Sequence, residues 1–383
     1  MSEKKLSTRI IHTRDARLTP PTVNPPVERA STVLFSDPDA LYADKPSYGR
    51  MGLTVHRELE AALCTLEAAE QVRLAPNGLG ACALAIASLV DAGDHALISD
   101  SLYGPTRRFC ERRLNAMGVS VTRFDPRATP EDLGPLVQPS TKVIFLESPG
   151  SLTFELPDTR AIVDFARSKS LVTIMDNTWG VGVYHKPLEL GVDVSVQALT
   201  KYVVGHADAF GGAVCTRDRG LAARIAACSE DWGISLAPDD AYQALRGLRT
   251  LETRLKQHEA TGLELARWLE NRPGVRSVLH PALASHPDHH IWLRDFTGAC
   301  GLFGVVLEPV PDGALTQMLK AMRLFGMGFS WGGFESLLIP CDAQLKRTET
   351  PSDLGGPLIR IHAGLEAPGD LIADLETALA ALT

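Results

Sequence analysis

The sequence predicts an α/β protein, with a mostly parallel sheet in a large domain and a smaller α+β domain at the carboxyl end. Strand-like apolar runs alternate with helical patterns between residues 71 and 216, and such alternation is typical of parallel sheets covered by helices on both faces. Two of these runs, at 171–175 and 192–196, are short, rich in β-branched residues and bounded by turn residues, as expected for buried parallel strands. The alternation stops after AFGGAVCT, which indicates a second domain beyond it.

The elements of the large domain follow from their own patterns. Val55, Leu59, Leu63 and Leu66 recur at helical spacing and predict a helix over 54–70. The same reasoning predicts strands at 71–76, 95–100, 119–124 and 143–147, and helices over 81–90, 107–117 and 157–169. The strands at 171–175 and 192–196 and the strand within AFGGAVCT complete this domain.

Two boundaries divide the chain into an arm and two domains. Residues 1–51 contain several prolines and lack periodic apolar positions, which predicts an extended arm held by a neighbouring subunit. Residues 52–247 form the predicted α/β domain and residues 248–383 the α+β domain, with one long helix or two abutting helices over 239–270 between them. The second domain is expected to contain strands at 298–309 and 357–366, an apolar segment at 335–340, a helix over 313–326 and a terminal helix from Pro368.

Composition disfavours several classes of partner and location. The chain of 383 residues carries a formal net charge of −8, which disfavours binding to nucleic acid or to an anionic membrane surface. No apolar run is long enough to span a bilayer, and the amino-terminal segment lacks the apolar core of a signal peptide. The seven cysteines are scattered without a CxxC pair, as is typical of reduced thiols. We therefore expect a cytoplasmic protein.

Two predicted strands end in chemically reactive side chains. Asp176 follows the strand at 171–175, and Thr200 and Lys201 follow the strand at 192–196. Because ligands of open α/β sheets lie outside the carboxyl ends of the strands, an acid and an amine presented there face one site. Pyridoxal phosphate needs both groups, since a lysine holds its aldehyde as a Schiff base and a carboxylate keeps its pyridine nitrogen protonated. An isolated pair of aspartate and lysine is more often a solvated ion pair. The surrounding residues therefore decide whether this pair binds a cofactor.

The residues around this pair carry a family resemblance. DNTW at 176–179 and QALTKYVVGHADAFGG at 197–212 resemble the cofactor-binding segment of the Cys/Met-metabolism pyridoxal-phosphate enzymes. The γ-synthases and γ-lyases of this family usually have serine at the position of Ala198 and tyrosine or phenylalanine at the position of Trp179. Both differences resemble the cystathionine β-lyase branch. Matching motifs extend over residues 48–365. The resemblance implies an aspartate-aminotransferase-type (fold type I) large domain with a mostly parallel seven-stranded sheet.

The resemblance also implies which residues bind the cofactor. Tyr48 and Arg50, in SYGRMG, would reach the cofactor phosphate of a neighbouring subunit, where a planar guanidinium can bind two phosphate oxygens. The other implied cofactor-binding residues are Gly78 and Leu79 as backbone donors to the phosphate, Tyr103 stacked on the ring, Asp176 at the ring nitrogen, Thr200, and Lys201 on the aldehyde.

A further set of motifs implies the substrate site and the reaction. Arg360 would clamp the α-carboxylate of an amino acid through a bidentate pair, beside Ser330 and Trp331. Phe329 stands where the best-known β-lyases have tyrosine, which leaves the preference for the distal part of the substrate open. The implied enzyme is a pyridoxal-phosphate-dependent carbon–sulfur lyase that converts L-cystathionine to homocysteine, pyruvate and ammonia by α,β-elimination, or acts on cysteine or cysteine S-conjugates.

The same resemblance assigns roles in catalysis and assembly. Lys201 would remove the α proton, which the protonated cofactor ring makes acidic, and Tyr103 would help to deprotonate the incoming amine. The implied partners are a small sulfur amino acid and further copies of the chain, arranged as a dimer of active sites and then as a homotetramer.

Three alternatives stay open at this point. A γ-acting relative, either a γ-synthase or a γ-lyase, would share the fold and cofactor. A nicotinamide-dependent oxidoreductase is suggested by Gly78, Gly80 and Ala83, which spell GxGxxA before Asp100. A non-catalytic aminotransferase-like regulator would not need both Lys201 and Arg360. No metal is expected, because the histidine-rich segment SHPDHHIW has the pattern of a solvated loop.

Overall fold

The computed structural model of the chain describes residues 4–13, 22–42, 47–351 and 353–382, and within them the large sheet contains seven strands. In chain order these are β1 (Gln71–Ala75), β2 (His95–Ser99), β3 (Ser120–Phe124), β4 (Thr141–Glu147), β5 (Val172–Asp176), β6 (Val194–Gln197) and β7 (Gly212–Thr216). Their order across the sheet is β1-β7-β6-β5-β4-β2-β3, and among them only β7 runs against the others. The predicted mostly parallel, seven-stranded sheet is confirmed.

Helices connect and cover these strands. The described helices of the large domain and arm are α1 (Leu6–Ile11), α2 (Pro38–Leu41), α3 (Thr54–Glu67), α4 (Gly78–Ala87), α5 (Gly104–Phe109), α6 (Pro130–Leu133), α7 (Thr159–Ser168) and α8 (Arg219–Asp231). They are followed by α9 (Pro238–Leu248), α10 (Leu251–Leu269), α11 (His289–Asp295), α12 (Ala314–Ala321) and α13 (Pro368–Leu379). Of the described helices, none is long and apolar enough to cross a membrane.

Alternating residues of the central strands face two different layers of helices. Ile98 and Phe145 pack in a core cluster with the apolar residues of α4, whereas Leu97 and Ile144 pack with those of α7. Both faces of the sheet are therefore buried, which explains why its strands have continuous apolar runs in the sequence.

Strand β1 is the exception to this burial pattern. Its residues Gln71 to Arg73 are partly exposed because β1 lies at one edge of the sheet and pairs only with β7. This edge position explains why the segment is short and polar in the sequence.

The smaller domain is built on a four-stranded antiparallel sheet. Its strands are β8 (Val275–Leu279), β9 (Leu302–Leu307), β10 (Leu337–Pro340) and β11 (Leu358–His362), in the order β10-β11-β9-β8. Helices α10, α12 and α13 bury the apolar face of this sheet in a separate core cluster. The two sheets fall on opposite sides of the boundary predicted at residue 247.

The predicted helix between the domains is two helices, α9 and α10, separated at Arg249 and Thr250. Arg254 of α10 is buried and anchors the connection, since its guanidinium donates to the backbone oxygens of Tyr202 at 2.7 Å and Gly247 at 2.8 Å. The segment that follows Lys201 is thereby attached to the helix that leads into the smaller domain.

The described parts of the predicted arm contact their own chain. Residues 1–3, 14–21 and 43–46 of the arm lie outside the described residues. Within the rest, α1 and α2 are short helices, so the arm is not extended throughout. Arg249 donates to the backbone oxygen of Ile10, and Arg29 forms an ion pair with Asp239 at 2.6 Å.

A buried glutamate holds the ends of the two central strands together. Glu67 of α3 is fully buried and accepts hydrogen bonds from Ser195 Oγ at 2.8 Å and Gln197 Nε2 at 2.5 Å, both on β6. Its carboxylate also lies 3.5 Å from Asn177 Nδ2, directly after Asp176. Burial raises the pKa of the Glu67 carboxyl, and these donors oppose that shift.

We expect Glu67→Ala to destabilise the large domain by about 3 kcal/mol, because it leaves several buried donors without an acceptor. The midpoint of thermal unfolding, followed by circular dichroism, should fall by several degrees. Glu70→Ala is the matched control, since Glu70 is exposed, and it should leave the midpoint nearly unchanged. Equal midpoints for the two variants would show that the Glu67 network contributes nothing.

Candidate active site

A cavity of about 370 Å³ lies at the carboxyl ends of β5 and β6, between residues of both domains. We call it the inner cavity. It brings together nine of the residues predicted from the sequence: Gly78, Leu79, Tyr103, Asp176, Thr200, Lys201, Ser330, Trp331 and Arg360. These residues are separated by up to 282 positions in the chain (360 − 78), so the fold and not local sequence assembles the site.

Lys201 lies between the two domains, with its amine in the cavity. Its Nζ donates a hydrogen bond to Ser330 Oγ at 2.8 Å and lies 5.4 Å from the centre of the Trp331 ring. Burial and, to a smaller extent, the Arg360 guanidinium lower the pKa of the Lys201 amine to about 8, against the opposing effect of the Asp176 carboxylate. About a tenth of this amine is therefore neutral and nucleophilic at pH 7, far more than for a solvated lysine.

The partner of this amine is held in an uncommon backbone conformation. Ser330 has a φ of 80°, in the left-handed region that non-glycine residues seldom adopt. Arg360 Nη2 donates to the Ser330 backbone oxygen at 2.8 Å, and the next-but-one residue, Gly332, donates its N–H to His362 Nε2 at 3.2 Å. Two residues of β11 therefore fix the turn, and such strain is typical of functional sites.

Asp176, at the end of β5, has a buried carboxylate, and one of its two oxygens lacks a strong hydrogen-bond donor. Its Oδ1 accepts from the Thr178 N–H at 3.0 Å and from the Thr178 hydroxyl at 2.5 Å. Its Oδ2 accepts the weak thiol donor of Cys82 at 3.5 Å. Burial raises the pKa of the Asp176 carboxyl. A protonated ring nitrogen placed against this carboxylate would supply the missing positive charge.

The start of α4 also lines the cavity. Asn77 caps this helix, and its side chain accepts from the Gly80 N–H at 2.8 Å. The N–H groups of Gly78 and Leu79 have no hydrogen-bond partner within the described part of the chain. Gly78 also permits close packing, because a Cβ there would lie 2.4 Å from the Cβ of Ala198. Free N–H groups at a helix start are suited to a phosphate.

Tyr103 lies at the mouth of the cavity, and its backbone position is fixed by a residue that the sequence analysis missed. Its N–H donates to Glu147 Oε2 at 2.5 Å, and its side chain is 44% exposed. Burial, followed by the nearby Glu147, raises the pKa of the Tyr103 phenol, so it stays protonated near neutral pH. A ring-stacking role fits this phenol better than the predicted role in deprotonating an amine.

Of the two site residues missing from the sequence prediction, Glu147 could have been found from a signal already in the sequence, but Cys82 could not. Glu147 ends β4 as Asp176 ends β5, and the two residues are paired in register. Burial and the nearby Asp176 raise the pKa of the Glu147 carboxyl well above its usual value. An acid at the carboxyl end of a neighbouring strand was therefore a site candidate, whereas nothing in the sequence placed Cys82 against Asp176.

Tyr48 and Arg50 do not line the inner cavity of their own chain. Arg50 Nη1 donates to the backbone oxygen of Glu230 at 3.4 Å, and its guanidinium lies 6.0 Å from the centre of the Tyr48 ring. The predicted contact of both residues with a neighbouring subunit stays a prediction.

The glycine pattern that suggested a nicotinamide cofactor has a different structural role. A dinucleotide-binding fingerprint follows a central parallel strand, but β1 is an edge strand that pairs antiparallel with β7. Asp100, which would bind a ribose hydroxyl, is fully buried and accepts hydrogen bonds from the backbone N–H groups of Thr348 at 2.9 Å and Glu349 at 3.0 Å. The carboxylate is therefore used within the protein.

The histidine-rich segment differs from the predicted solvated loop. His286 is buried and its Nδ1 accepts from the Asp288 N–H at 3.1 Å, while His289 begins α11. The prediction is wrong for His286 because Asp288 anchors the segment, accepting from Arg127 Nε at 2.8 Å and from the Leu156 N–H at 3.0 Å. Over residues 4–13, 22–42, 47–351 and 353–382, no group of three or more His, Cys, Asp or Glu side chains could hold a metal ion.

The groups that line the inner cavity fit pyridoxal phosphate. The free N–H groups of α4 suit the phosphate, the Lys201 amine suits the aldehyde, and Asp176 suits the ring nitrogen. Asp176 gives the strongest support for this fit. Its carboxylate is buried and faces the cavity, and its Oδ2 accepts only the weak thiol donor of Cys82, so it needs a positively charged partner.

Comparisons with known proteins agree with this fit. Residues 7–380 match the family described as Cys/Met metabolism PLP-dependent enzyme. The chain is 42% identical to the cystathionine beta-lyase of Bordetella avium, over 99% of this chain and 98% of that protein. It is 39% identical to the L-alanine/L-glutamate racemase of Wolbachia pipientis, over 94% and 93% of the two chains. A cystathionine gamma-synthase of Mycobacterium bovis is more distant, at 33% identity over 87% and 86%.

The fold agrees as well. The solved structure of metB from Corynebacterium glutamicum superposes with a TM-score of 0.92 and 28% sequence identity, over 99% of both chains. The fold, the residues of the inner cavity and the match along nearly the whole sequence lead to one conclusion. The chain belongs to the Cys/Met metabolism family of pyridoxal-phosphate-dependent enzymes.

Proposed function

We propose that this enzyme is a carbon–sulfur lyase that eliminates the β substituent of L-cystathionine or a related cysteine S-conjugate. The observation that carries the proposal is the position of the Lys201 amine, held on Ser330 in a cavity that also contains Asp176 and Arg360. The relative from Bordetella avium, named cystathionine beta-lyase, supports the choice of reaction.

Each residue of the inner cavity has a distinct task in this proposal. Arg360, on the strand next to the Ser330 turn, binds the α-carboxylate and so orients the amino acid. When bound, pyridoxal phosphate supplies an electron sink that makes the α proton acidic. The neutral amine of Lys201 accepts that proton, Asp176 holds a proton on the ring nitrogen, and Tyr103 packs against the ring. The Cβ–S bond breaks, and the sulfur leaves as a thiolate that takes up a proton.

The products distinguish this reaction from that of a γ-acting relative. Purified protein loaded with pyridoxal phosphate is expected to release pyruvate and homocysteine in equal amounts from L-cystathionine. Release of 2-oxobutyrate and cysteine would assign the protein to the γ-lyases instead. A thiol assay together with chromatography of the two keto acids decides between these outcomes.

A racemase is the second candidate, because the relative from Wolbachia pipientis named L-alanine/L-glutamate racemase is nearly as similar to this chain as the lyase. Both reactions begin with removal of the α proton, but a racemase returns a proton to the opposite face. Chiral chromatography of L-alanine after incubation tests this. Formation of D-alanine at a rate matching or exceeding that of pyruvate from cystathionine would favour the racemase.

The reactivity of Lys201 should have a characteristic pH dependence. Only the neutral amine attacks an aldehyde, and the Lys201 pKa is lowered to about 8 from an ordinary value of 10.5. The rate at which the cofactor-free protein attaches pyridoxal phosphate, followed by absorbance, should therefore rise with pH through a midpoint near 8. Arg360→Leu should move the midpoint upward, because it removes a nearby cation. A midpoint unchanged from that of free lysine would contradict the environment described for this amine.

We propose further that the enzyme is a homo-oligomer in which Arg50 completes the phosphate site of a neighbouring subunit. The cations that line the inner cavity are Lys201 and Arg360, and the proposal already uses them for the cofactor aldehyde and the substrate α-carboxylate. A phosphate bound at the start of α4 by backbone N–H groups would gain from a further cation.

A complementation experiment tests this arrangement. Lys201→Ala and Arg50→Ala variants, each inactive alone, are unfolded together and refolded as a mixture. If Arg50 acts across the interface, about a quarter of the wild-type activity should return, because half of the dimers are mixed and each has one intact site. If Arg50 acts within its own chain, mixing restores no activity.

We also propose a reducing, cytoplasmic location, with small-molecule substrates and neither nucleic acid nor membrane as a partner. All seven cysteines are free, and five of them are buried. Thiol titration of the denatured protein, prepared from its source cells without reductant, is expected to count seven thiols. A smaller count would indicate an oxidising location.

A further inference from the structure

A second, larger cavity opens directly from the inner one. This outer cavity has a volume of about 770 Å³ and lies between the segment 100–111 of the large domain and the segment 343–347 of the smaller one. The two cavities share lining residues that include Tyr103, Lys201 and Arg360. Of these two cavities, only the inner one is lined by Asp176 and by Gly78 and Leu79 at the start of α4, so the outer cavity adjoins the site beyond these three residues.

The outer cavity therefore receives the part of a substrate that extends beyond its α-carbon. If Arg360 binds the α-carboxylate of an amino acid and the α-carbon lies at Lys201, the side chain of that amino acid still needs a binding site. The outer cavity adjoins both residues and leads to the protein surface. For a cysteine S-conjugate, this remaining group is the substituent on sulfur.

The lining of the outer cavity is strongly cationic. Besides Lys201 it contains six basic side chains and two acidic ones, Asp100 and Glu111; the basic residues are Arg107, Arg108, Arg123, Lys346, Arg347 and Arg360. The two acids offset only part of this charge. Both lie near the same arginine, since Arg123 is 3.1 Å from Glu111 and 3.9 Å from Asp100, and the Asp100 carboxylate also accepts backbone N–H groups of the 348–350 turn.

Three of the basic residues already have structural partners. Arg123 is paired with Glu111, and Arg107 lies 3.9 Å from the same carboxylate. Arg347 is 3.6 Å from Glu155 and donates to the Ser151 backbone oxygen at 3.0 Å. Arg347 thereby joins the two walls of the cavity, while Arg107 and Arg123 are paired within one wall.

Arg108 and Lys346 are different. Both side chains line the cavity and are exposed, and neither has a hydrogen bond or ion pair to any residue that the structure describes. The Arg108 guanidinium folds back along α5, where its Nη1 lies 3.7 Å from the position that a Cβ on Gly104 would occupy. It therefore lies beside Tyr103, next to the opening of the inner cavity, while Lys346 lies on the opposite wall.

We propose that Arg108 and Lys346 bind an anionic group at the far end of the substrate, so that the enzyme prefers cysteine S-conjugates whose sulfur substituent ends in a carboxylate. This inference rests on the proposed lyase function and adds a substrate class to it. A guanidinium and an ammonium on opposite walls attract a carboxylate through charge-assisted hydrogen bonds, and they repel an ammonium in the same place. Cystathionine carries both groups at its far end, so a conjugate with the carboxylate alone should suit the cavity better.

Four substrates of equal chain length isolate the terminal group. They are L-cystathionine, S-(3-carboxypropyl)-L-cysteine, S-butyl-L-cysteine and S-(3-aminopropyl)-L-cysteine, which differ at the end of the sulfur substituent. Pyruvate release gives kcat/KM for each. The carboxylate conjugate is expected to exceed the butyl conjugate by roughly fivefold to tenfold at low salt, the ammonium conjugate should be the poorest, and the preference should shrink as salt is added.

Variants then assign this preference to a residue. Arg108→Gln should lower kcat/KM for the carboxylate conjugate by roughly fivefold and leave the butyl conjugate within about twofold. Arg112→Gln is the matched control, since it removes the same charge from an exposed residue that does not line the outer cavity. It should leave the preference intact.

Failure of this inference is distinguishable from failure of the proposed function. Pyruvate from all four conjugates with similar kcat/KM would overturn the inference and leave the lyase function standing. An unchanged preference in Arg108→Gln and Lys346→Gln, alone and combined, would overturn the assignment to these two residues. Absence of pyruvate from every conjugate would overturn the lyase function on which the inference rests.

Discussion

Lys201→Ala is expected to lower kcat for elimination by about 10³- to 10⁴-fold, because it removes both the group that holds the cofactor aldehyde and the base that accepts the α proton. The loss should not come from misfolding. Lys201 is only half-buried, and the hydrogen bond of its amine goes to the Ser330 hydroxyl on the surface of the cavity.

The readout that does not depend on activity is the covalent link itself. Borohydride reduction followed by mass spectrometry of peptides should attach pyridoxal phosphate to the peptide containing Lys201 in the wild type and to no peptide in Lys201→Ala. Lys201→Arg keeps the charge without a nucleophilic amine and should be equally inactive. Lys256→Ala, at an exposed lysine paired with Glu252 at 3.1 Å, should retain full activity. A labelled peptide elsewhere in the wild type would refute the assignment of Lys201.

The parts of the fold that could be predicted from the sequence are those determined by local patterns. The strand predicted at 171–175 is observed one residue later, at Val172–Asp176, and the strand predicted at 192–196 is observed at Val194–Gln197. Both faces of these strands are buried, so their apolar runs are continuous and easily recognised. Because strand ends set the positions of Asp176 and Lys201, the centre of the site could be predicted too.

Other features depend on contacts between distant segments and could not be predicted. Cys82 meets Asp176 only because α4 packs across β5 and β6. The left-handed conformation of Ser330 is supported by Arg360 and His362 of β11, 30 residues or more away in the chain. The outer cavity joins residues of α5 to the segment 343–347, and no periodicity or motif in either segment indicates the other.

The electrostatics of the site also emerge only from the assembled structure. From the sequence alone, Lys201 is expected to have the pKa of an ordinary lysine. In the structure, burial and Arg360 together lower its pKa to about 8, against the opposing effect of Asp176. The smaller domain thus contributes to the reactivity of a lysine that belongs to the larger one. Separation of the domains would raise the pKa of this amine towards that of a solvated lysine. The packing of the two domains against each other is therefore needed for the reactivity of Lys201.

Asp176→Asn is expected to lower kcat by about 10²- to 10³-fold, because an amide cannot stabilise a protonated ring nitrogen and the electron sink is weakened. Affinity for pyridoxal phosphate should fall less, since the phosphate end and Lys201 are unchanged. The variant should also shift the reactivity of Lys201 in a defined direction. Asp176 raises the pKa of Lys201, so its neutralisation should move the midpoint for cofactor attachment to lower pH.

Glu147→Gln is the matched control for Asp176→Asn, since Glu147 is paired with Asp176 in register and lines the same cavity. Burial and the nearby Asp176 raise the pKa of the Glu147 carboxyl well above its usual value, which favours the neutral form that an amide resembles. Glu147→Gln should therefore retain most of kcat and leave the attachment midpoint in place. If both variants lost activity equally with the same shift of the midpoint, the cavity would need two carboxyl groups of equal importance, and the special role assigned to Asp176 would be wrong.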